Sequence, residues 1–173
     1  EALAESRASG FEDAKLVRVS TPQVKDTCRI TKAFSRSDQR YFYLPCPHCG
    51  HEAPLTWENF LRNLDPERLH AACFSCDSCG CVISHADKES MVARGRWVAT
   101  NPNGDHPGFH LWRAYVPQRD WASIALDYAR VMGWASVKAR GESDVTLAEK
   151  VEDRTEQTFY NDVLGMPYEQ AVK

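Results

Sequence analysis

Apolar residues recur every three or four positions along the segment that follows Asp120. This spacing predicts an amphipathic helix over residues 121–132, with Asp120 as its N-cap. A second helix is predicted from His85 to Arg94, because Ser84 precedes it and an acidic residue three positions later completes a capping-box pattern. Elsewhere the apolar runs are short.

Other runs predict the rest of the secondary structure. Strands are predicted over residues 15–19, 41–44, 71–74 and 96–100, with an extended segment over 108–115. Further helices are predicted over residues 1–11, 26–35, 56–64 and 142–160. The strand at Lys15–Val19 follows a helical segment and ends at Ser20-Thr21-Pro22, where proline cannot pair through its nitrogen. This order is typical of the edge of an α/β sheet.

The composition is that of an ordinary folded domain. Hydrophobic residues make up 43% and charged residues 26% of the 173 positions, and the net charge of −3 gives no global attraction for nucleic acid or an anionic membrane. The sequence contains no run of about 18 apolar residues and no secretion leader, so neither a membrane partner nor export is expected. The first residue is Glu1 rather than Met, and we expect the chain to be a piece of a longer protein.

The charge is distributed unevenly. Residues 1–45 contain eight Lys and Arg against six acidic residues, whereas residues 142–156 contain six acidic residues against two basic ones. Any contact with DNA would therefore be expected in the first part of the chain. The acidic segment is interpreted as the solvated face of a helix.

Two matched cysteine pairs carry the strongest chemical signal. Cys46 and Cys49 form one C-x-x-C-G unit and Cys76 and Cys79 form another, separated by 26 residues. Two residues between cysteines let both sulfurs converge on one tetrahedral ion, and the following glycine permits a tight turn. Seven cysteines cannot all pair in disulfides, so the pattern predicts one zinc ion in a reducing compartment.

Four thiolates would close the coordination shell, so the zinc ion is predicted to be structural rather than catalytic. The spacing suits a zinc ribbon, in which each turn lies at the tip of a hairpin. His48 in place of a cysteine, and registers that use Cys73 or Cys81, remain open alternatives, and Cys28 is expected to be a free thiol. A redox dithiol is less consistent with the sequence, because residues 50–54 do not begin a helix after Cys49.

A series of short blocks then follows a characteristic order: Val19-Ser20-Thr21-Pro22, Cys28-Arg29-Ile30, Ser37-Asp38-Gln39-Arg40, and residues 44–51, 74–80, 95–97, 107–110, 158–165 and 167–169. Together these blocks cover nearly the whole chain and resemble the large terminase subunit of lambda-type tailed phages, the GpA family. Cys28 stands where the family pattern suggests a small hydroxyl residue.

The resemblance implies an ATPase that drives double-stranded DNA into a procapsid, joined to a metal-dependent nuclease. It implies three parts here: residues 1–40 as the end of the ATPase core, residues 41–100 as a zinc-ribbon module, and residues 101–173 as a helical linker toward the nuclease. The fold class would be α+β, an α/β remnant with an inserted zinc ribbon and a helical tail. Ser20 and Thr21 would fall on the coupling motif, although an ordinary turn fits them equally well.

The resemblance also implies cofactors and partners for the intact protein, namely ATP with Mg²⁺, the small terminase subunit and the portal, in the host cytoplasm. The sequence contains no phosphate-binding loop of the G-x-x-x-x-G-K-[ST] type, so the chain alone is predicted to be inactive. Two other classes remain open, a free-standing DNA-binding zinc ribbon and a protein-docking module. Arg29 or Arg40 would be candidate phosphate contacts, and Asp105, His106 and His110 are interpreted as loop and core residues rather than a catalytic cluster.

Overall fold

A computed structural model describes residues 6–25, 27–134 and 155–169 of the chain. Within these residues, helices accompany short strands that pair mainly antiparallel in small sheets, which gives an α+β fold. The helices are α1 (Arg29–Arg36), α2 (Trp57–Arg62), α3 (Lys88–Ala93), α4 (Trp121–Val131) and α5 (Glu156–Asp162). The strands are β1 (Arg40–Pro45), β2 (Glu52–Pro54), β3 (Phe74–Ser75), β4 (Val82–Ile83), β5 (Arg96–Ala99) and β6 (Phe109–His110).

Strand β1 is the centre of the larger sheet. It pairs antiparallel with β5 along one edge, and its other edge is shared by antiparallel β2 and parallel β6. Strands β3 and β4 form a separate antiparallel hairpin, in which Phe74 lies opposite Ile83. The larger sheet thus joins strands from before, within and after the cysteine-rich part of the chain.

The core is unusually aromatic, and it joins the β3–β4 hairpin to the helices. Its central rings belong to Trp57, Phe60, Phe74, Trp112, Trp121, Tyr128 and Phe159. The centroids of the Phe74 and Trp121 rings are 4.7 Å apart, and the Trp57 ring lies 5.4 Å from that of Phe159. Residues that are far apart in sequence therefore bury their apolar surface together, which is the main favourable term in folding.

The polar groups of Trp112, Trp121 and Tyr115 have hydrogen-bond partners. The Trp112 indole donates to the Leu55 carbonyl at 2.7 Å, and the Trp121 indole donates to the Ala114 carbonyl at 3.0 Å. The Tyr115 hydroxyl donates to the Phe42 carbonyl and accepts from the Leu55 N–H. These bonds tie β1 to the segment before α2, and they avoid the cost of burying an unpaired polar group.

Helix caps agree with the sequence signals. Asp120 accepts from the N–H of Ala122 at the start of α4. The predicted capping box between Ser84 and Asp87 is present, but it opens a 3₁₀ turn over His85–Asp87 before α3 begins at Lys88. Helix α4 ends at Val131, so Met132 lies beyond it and is exposed.

Two predicted strands differ from the structure. Residues 15–19 form no strand, because no strand within the described ranges lies beside them to share backbone hydrogen bonds, and Leu16, Val17 and Val19 are exposed. The strand predicted over 71–74 is only Phe74–Ser75, since its partner Val82–Ile83 is two residues long and Leu69–Ala71 forms a 3₁₀ turn.

The segment that precedes α1 lies beside the last described residues of the chain. Val24 and Tyr168 form a parallel bridge, in which Lys25 donates to the Tyr168 carbonyl at 3.0 Å and Tyr168 donates to the Gln23 carbonyl at 2.9 Å. Most of the helix predicted over 142–160 lies outside the described residues, and its end coincides with α5. No helix in the described ranges is both long and apolar enough to span a bilayer.

Candidate metal centre

The first cysteine pair lies in the turn that connects β1 to β2. Cys46 directly follows the last residue of β1, and its N–H donates to the His51 carbonyl at 2.8 Å. The N–H of Gly50 donates back to the Cys46 carbonyl at 3.0 Å. Gly50 has a φ of 76°, a left-handed conformation that disfavours residues with a β-carbon. The glycine therefore lets the chain turn tightly enough to bring both sulfurs to the same side.

The second pair repeats this geometry between β3 and β4. The Cys76 N–H donates to the Cys81 carbonyl at 2.9 Å, and the Gly80 N–H donates to the Cys76 carbonyl at 2.9 Å. Gly80 has a φ of 70°. Two sequence-matched units thus adopt the same turn, each at the tip of an antiparallel hairpin.

The structure brings the four sulfurs together in one cluster. The Sγ atoms of Cys46, Cys49, Cys76 and Cys79 all lie within 4.8 Å of one another. The Cys46 and Cys79 sulfurs are 3.9 Å apart, and those of Cys49 and Cys76 are 3.7 Å apart. A tetrahedral zinc ion with Zn–S bonds of about 2.3 Å separates its sulfurs by about 3.8 Å, so this donor set fits such an ion. Cys46 and Cys76 are buried, whereas Cys49 and Cys79 lie at the surface.

Helix α2 holds the second turn in position. The buried Asn59 side chain donates to the Ser75 carbonyl at 2.8 Å and accepts from the Ser75 N–H at 3.0 Å. The same amide nitrogen is 3.3 Å from the Asp77 carboxylate, which also accepts from Arg62 at 3.0 Å. The residues just before Cys76 and just after it are therefore both fixed to α2.

The pKa values of the two thiols in the second pair are shifted in opposite directions. Backbone N–H donation from Cys79 and Ser78 lowers the pKa of Cys76 to about 6. The N–H of Cys81 also lowers the pKa of Cys79, but burial and the neighbouring thiols Cys49 and Cys76 outweigh it and raise that pKa to about 12. Cys76 therefore ionises readily while Cys79 retains its proton, and a cation at the centre would favour the thiolate form of both.

The sequence comparisons identify the family. Residues 1–97, more than half of the chain, match the family model described as the phage terminase large subunit gpA, ATPase domain. The chain belongs to this gpA terminase family.

Two curated relatives carry the same description. The chain is 28% identical over 194 aligned positions to the "Terminase, large subunit" of Enterobacteria phage P21, an alignment that covers 98% of this chain and 27% of the relative. It is 29% identical over 153 positions to the "Terminase, large subunit" of Escherichia phage lambda, covering 76% of this chain and 24% of that protein. The chain thus spans about a quarter of the length of these relatives, and no solved structure matches it significantly.

The other candidate ligands of this gpA-family chain are arranged differently. Among the described residues, Cys73, Cys81 and His48 are not members of the four-sulfur cluster. The His48 Nε2 atom is 3.2 Å from the Val82 carbonyl oxygen. Burial raises the pKa of the Cys73 thiol, and Cys28 accepts a hydrogen bond from the Gln23 N–H at 3.3 Å. The symmetric register of the two C-x-x-C-G units is therefore the one that the fold brings together.

The other residues considered from sequence lie away from this cluster. Ser20 and Thr21 are exposed, and the Ser20 hydroxyl donates to the Thr21 carbonyl at 3.2 Å. The Asp105 carboxylate is hydrogen-bonded to the His106 Nδ1 atom near the surface, whereas the His110 ring lies 3.2 Å from the carbonyls of Leu164 and Gly165.

Sequence reasoning missed the role of Asn59 in this gpA chain. Its position in a helix whose neighbours Trp57 and Phe60 are core residues was the available signal, because a polar residue beside such a face needs a buried partner.

Proposed function

We propose that Cys46, Cys49, Cys76 and Cys79 bind one structural Zn²⁺ ion and that the segment around them is a zinc ribbon. The observation that carries this proposal is the cluster of four sulfurs within 4.8 Å of one another. Two hairpins supply one cysteine pair each, which is the arrangement expected of a ribbon. Four thiolate ligands leave no open coordination position, so the ion stabilises the fold and performs no chemistry.

Metal analysis tests this proposal. The purified chain is expected to contain one zinc ion, and Cys46→Ser or Cys79→Ser to lose it. Cys73→Ser is the matched control, because Cys73 precedes the second pair but is absent from the cluster of described residues. Loss of zinc in Cys73→Ser with retention in Cys46→Ser would contradict the ligand set.

We further propose that the intact protein is the large subunit of an ATP-driven terminase that packages double-stranded DNA in the host cytoplasm. Membership in the gpA family and the full-chain similarity to the P21 protein support this role. ATP and Mg²⁺ would act in the intact protein, together with the small subunit and the portal. The chain alone is proposed to hydrolyse no ATP and cleave no DNA, and an ATPase or nuclease assay on the purified chain tests that statement directly.

Within this role, residues 1–40 are proposed to complete the ATPase core, residues 41–100 to form the zinc module, and residues 101–173 to lead toward the nuclease. Exposed Leu16, Val17 and Val19 support the first assignment, since they offer apolar surface that a larger core would cover. Ser20 and Thr21 at the end of this segment are proposed to couple nucleotide hydrolysis to DNA movement. Thr21→Ala in the intact terminase is then expected to reduce packaging while leaving the zinc content unchanged.

The zinc module is proposed to brace neighbouring parts of the protein. Phe74, two residues before Cys76, is buried against Trp121 of α4 and against Phe60 of α2. A turn that is packed into the shared core in this way is suited to holding segments in register. The alternative, a DNA-contacting ribbon, has less support, because the two turns themselves contain no Lys or Arg. Loss of assembly without loss of DNA affinity, on zinc removal, would distinguish bracing from DNA contact.

A further inference from the structure

Helix α1 carries three cations on one side. Arg29, Lys32 and Arg36 are spaced by three and four residues, which places them within about 60° of arc on an α-helix. All three are exposed. The apolar residues Ala33 and Phe34 lie toward the body of the protein, where the Phe34 ring meets Tyr41 edge-on at 5.8 Å. The helix is thus anchored by one side and presents a basic ridge, defined as Arg29, Lys32 and Arg36, to solvent.

The basic ridge lacks carboxylate partners in the described parts of the chain. Nearby cations are paired, since Lys25 contacts Glu169 and Arg40 lies 2.7 Å from Asp38, but no ion pair of the described residues involves the ridge. The eleven residues between Asp26 and Asp38 include no acidic residue. Like charges at these spacings destabilise a helix, so the ridge opposes the stability of α1.

The start of α1 adds to this positive character. Its first turn contains no acidic side chain, and its N-cap, Cys28, makes no side-chain capping hydrogen bond. In contrast, Thr56, Asp120 and Thr155 cap the N-termini of their helices with side-chain oxygens. A cation near the positive end of the helix dipole is also unfavourable. Each of these features would be relieved by an external anion.

We propose that the basic ridge of α1 contacts the phosphate backbone of duplex DNA without reading its sequence. The ridge has long flexible cations for phosphates, and it has no aromatic ring for stacking on unpaired bases. The net charge of −3 gives no general attraction to DNA, so the contact would depend on this local patch. The inference rests on the proposed packaging function, in which duplex DNA is the cargo, and it names where that cargo touches this part of the protein.

The ridge is separate from the candidate metal centre. It precedes the first residue of β1, whereas Cys46 follows the last residue of that six-residue strand. At about 3.3 Å per residue the strand alone spans roughly 17 Å. Changes to the ridge should therefore leave zinc content unaltered, which provides a check that each variant is folded.

The test measures binding of the zinc-loaded 173-residue chain to a fluorescent duplex of about 30 base pairs at several salt concentrations. The triple variant R29Q/K32Q/R36Q is compared with R68Q/R94Q/R119Q, which removes the same charge from other exposed positions. Each lost phosphate contact lowers the slope of log K against log salt by about 0.9, so the ridge variant should lose up to about 2.7 of slope. When the salt concentration rises from about 50 to 200 mM, the factor by which affinity falls should be about 40 times larger for the wild type than for the ridge variant.

The control variant should bind like the wild type. Equal binding by all three proteins would overturn the assignment of the ridge but leave the packaging role standing, as would failure of the wild-type chain to bind the duplex at all. Competition by polyglutamate as effective as that by DNA would assign the ridge to an acidic protein instead. The packaging role is tested by a different experiment. It is contradicted if the intact protein neither hydrolyses ATP nor translocates DNA.

Discussion

The Nε2 atom of His48, in the first cysteine turn, is 3.2 Å from the carbonyl oxygen of Val82, in the strand that follows the second turn. A carbonyl oxygen only accepts hydrogen bonds, so Nε2 must carry the proton and donate. This bond links the two turns by a route that does not involve sulfur. The bond occupies Nε2 but not Nδ1, so the observation against His48 as a zinc ligand is its absence from the four-sulfur cluster of the described residues.

Replacing His48 should therefore leave the metal stoichiometry unchanged. His48→Ala is expected to bind one zinc ion and to release it faster to a chelator, because the bond between the two turns is lost. Release kinetics followed with a colorimetric zinc indicator measure this effect. His51→Ala is the matched control, as it removes a histidine from the same turn. Loss of all zinc from His48→Ala would instead indicate that His48 is a ligand.

Removal of zinc should loosen the aromatic core and not only the turns. Structural zinc contributes on the order of 10 kcal/mol to folding, which is comparable with the whole stability of a typical domain. Because Phe74 lies 4.7 Å from the Trp121 ring, release of the second turn is expected to reach α4. Near-ultraviolet circular dichroism and tryptophan emission should change on chelation and recover when zinc is returned. A chelator already saturated with zinc is the control, and unchanged spectra would contradict the coupling.

Truncation of the Asn59 side chain should lower the free energy of unfolding. Asn59→Ala leaves both the N–H and the carbonyl of Ser75 without their side-chain partner, in a region where Asn59 itself is only 7% exposed. A loss of about 2–3 kcal/mol in the free energy of unfolding is expected. Chemical denaturation measures this loss, and Asn103→Ala at an exposed loop position should change it by less than about 0.5 kcal/mol. Equal effects of the two variants would argue against a role for Asn59 in holding the second turn.

His110 should make stability depend on pH. Burial lowers its pKa in the folded state, although donation to the Gly165 and Leu164 carbonyls partly offsets this. The unfolded chain then binds the proton more readily, so the contribution of His110 is fully present above the unfolded value of about 6.5 and is lost as the pH falls through the folded pKa. His110→Gln should be closer in stability to the wild type below pH 6 than at pH 8.

The difference between the two proteins must be measured at each pH, because the cysteine thiols also titrate. Taking the difference in unfolding free energy removes the contribution that they make to both proteins. A difference that is constant between about pH 5 and 8 would show that His110 keeps the same pKa in the folded and unfolded chains.

Local signals in the sequence predicted the elements that depend on local physics. The Asp120 cap and the apolar spacing after it anticipated α4, and the Ser84–Asp87 capping box is present. The pairing of strands was less predictable from the sequence. The run at residues 15–19 has strand-forming residues but no neighbouring strand in the described structure, and β-structure requires a partner for its hydrogen bonds.

The sequence by itself determined the family and supplied two matched pairs of potential thiolate ligands, because the ordered blocks and the two C-x-x-C-G units are properties of residue identity and spacing. Only the tertiary structure decided which sulfurs meet. It also decided that Asn59 holds the second turn against α2, and that Arg29, Lys32 and Arg36 lie exposed on one side of an anchored helix. Short-range spacing fixes a turn or a helix face, whereas a contact across 26 residues depends on how the whole chain buries its apolar surface.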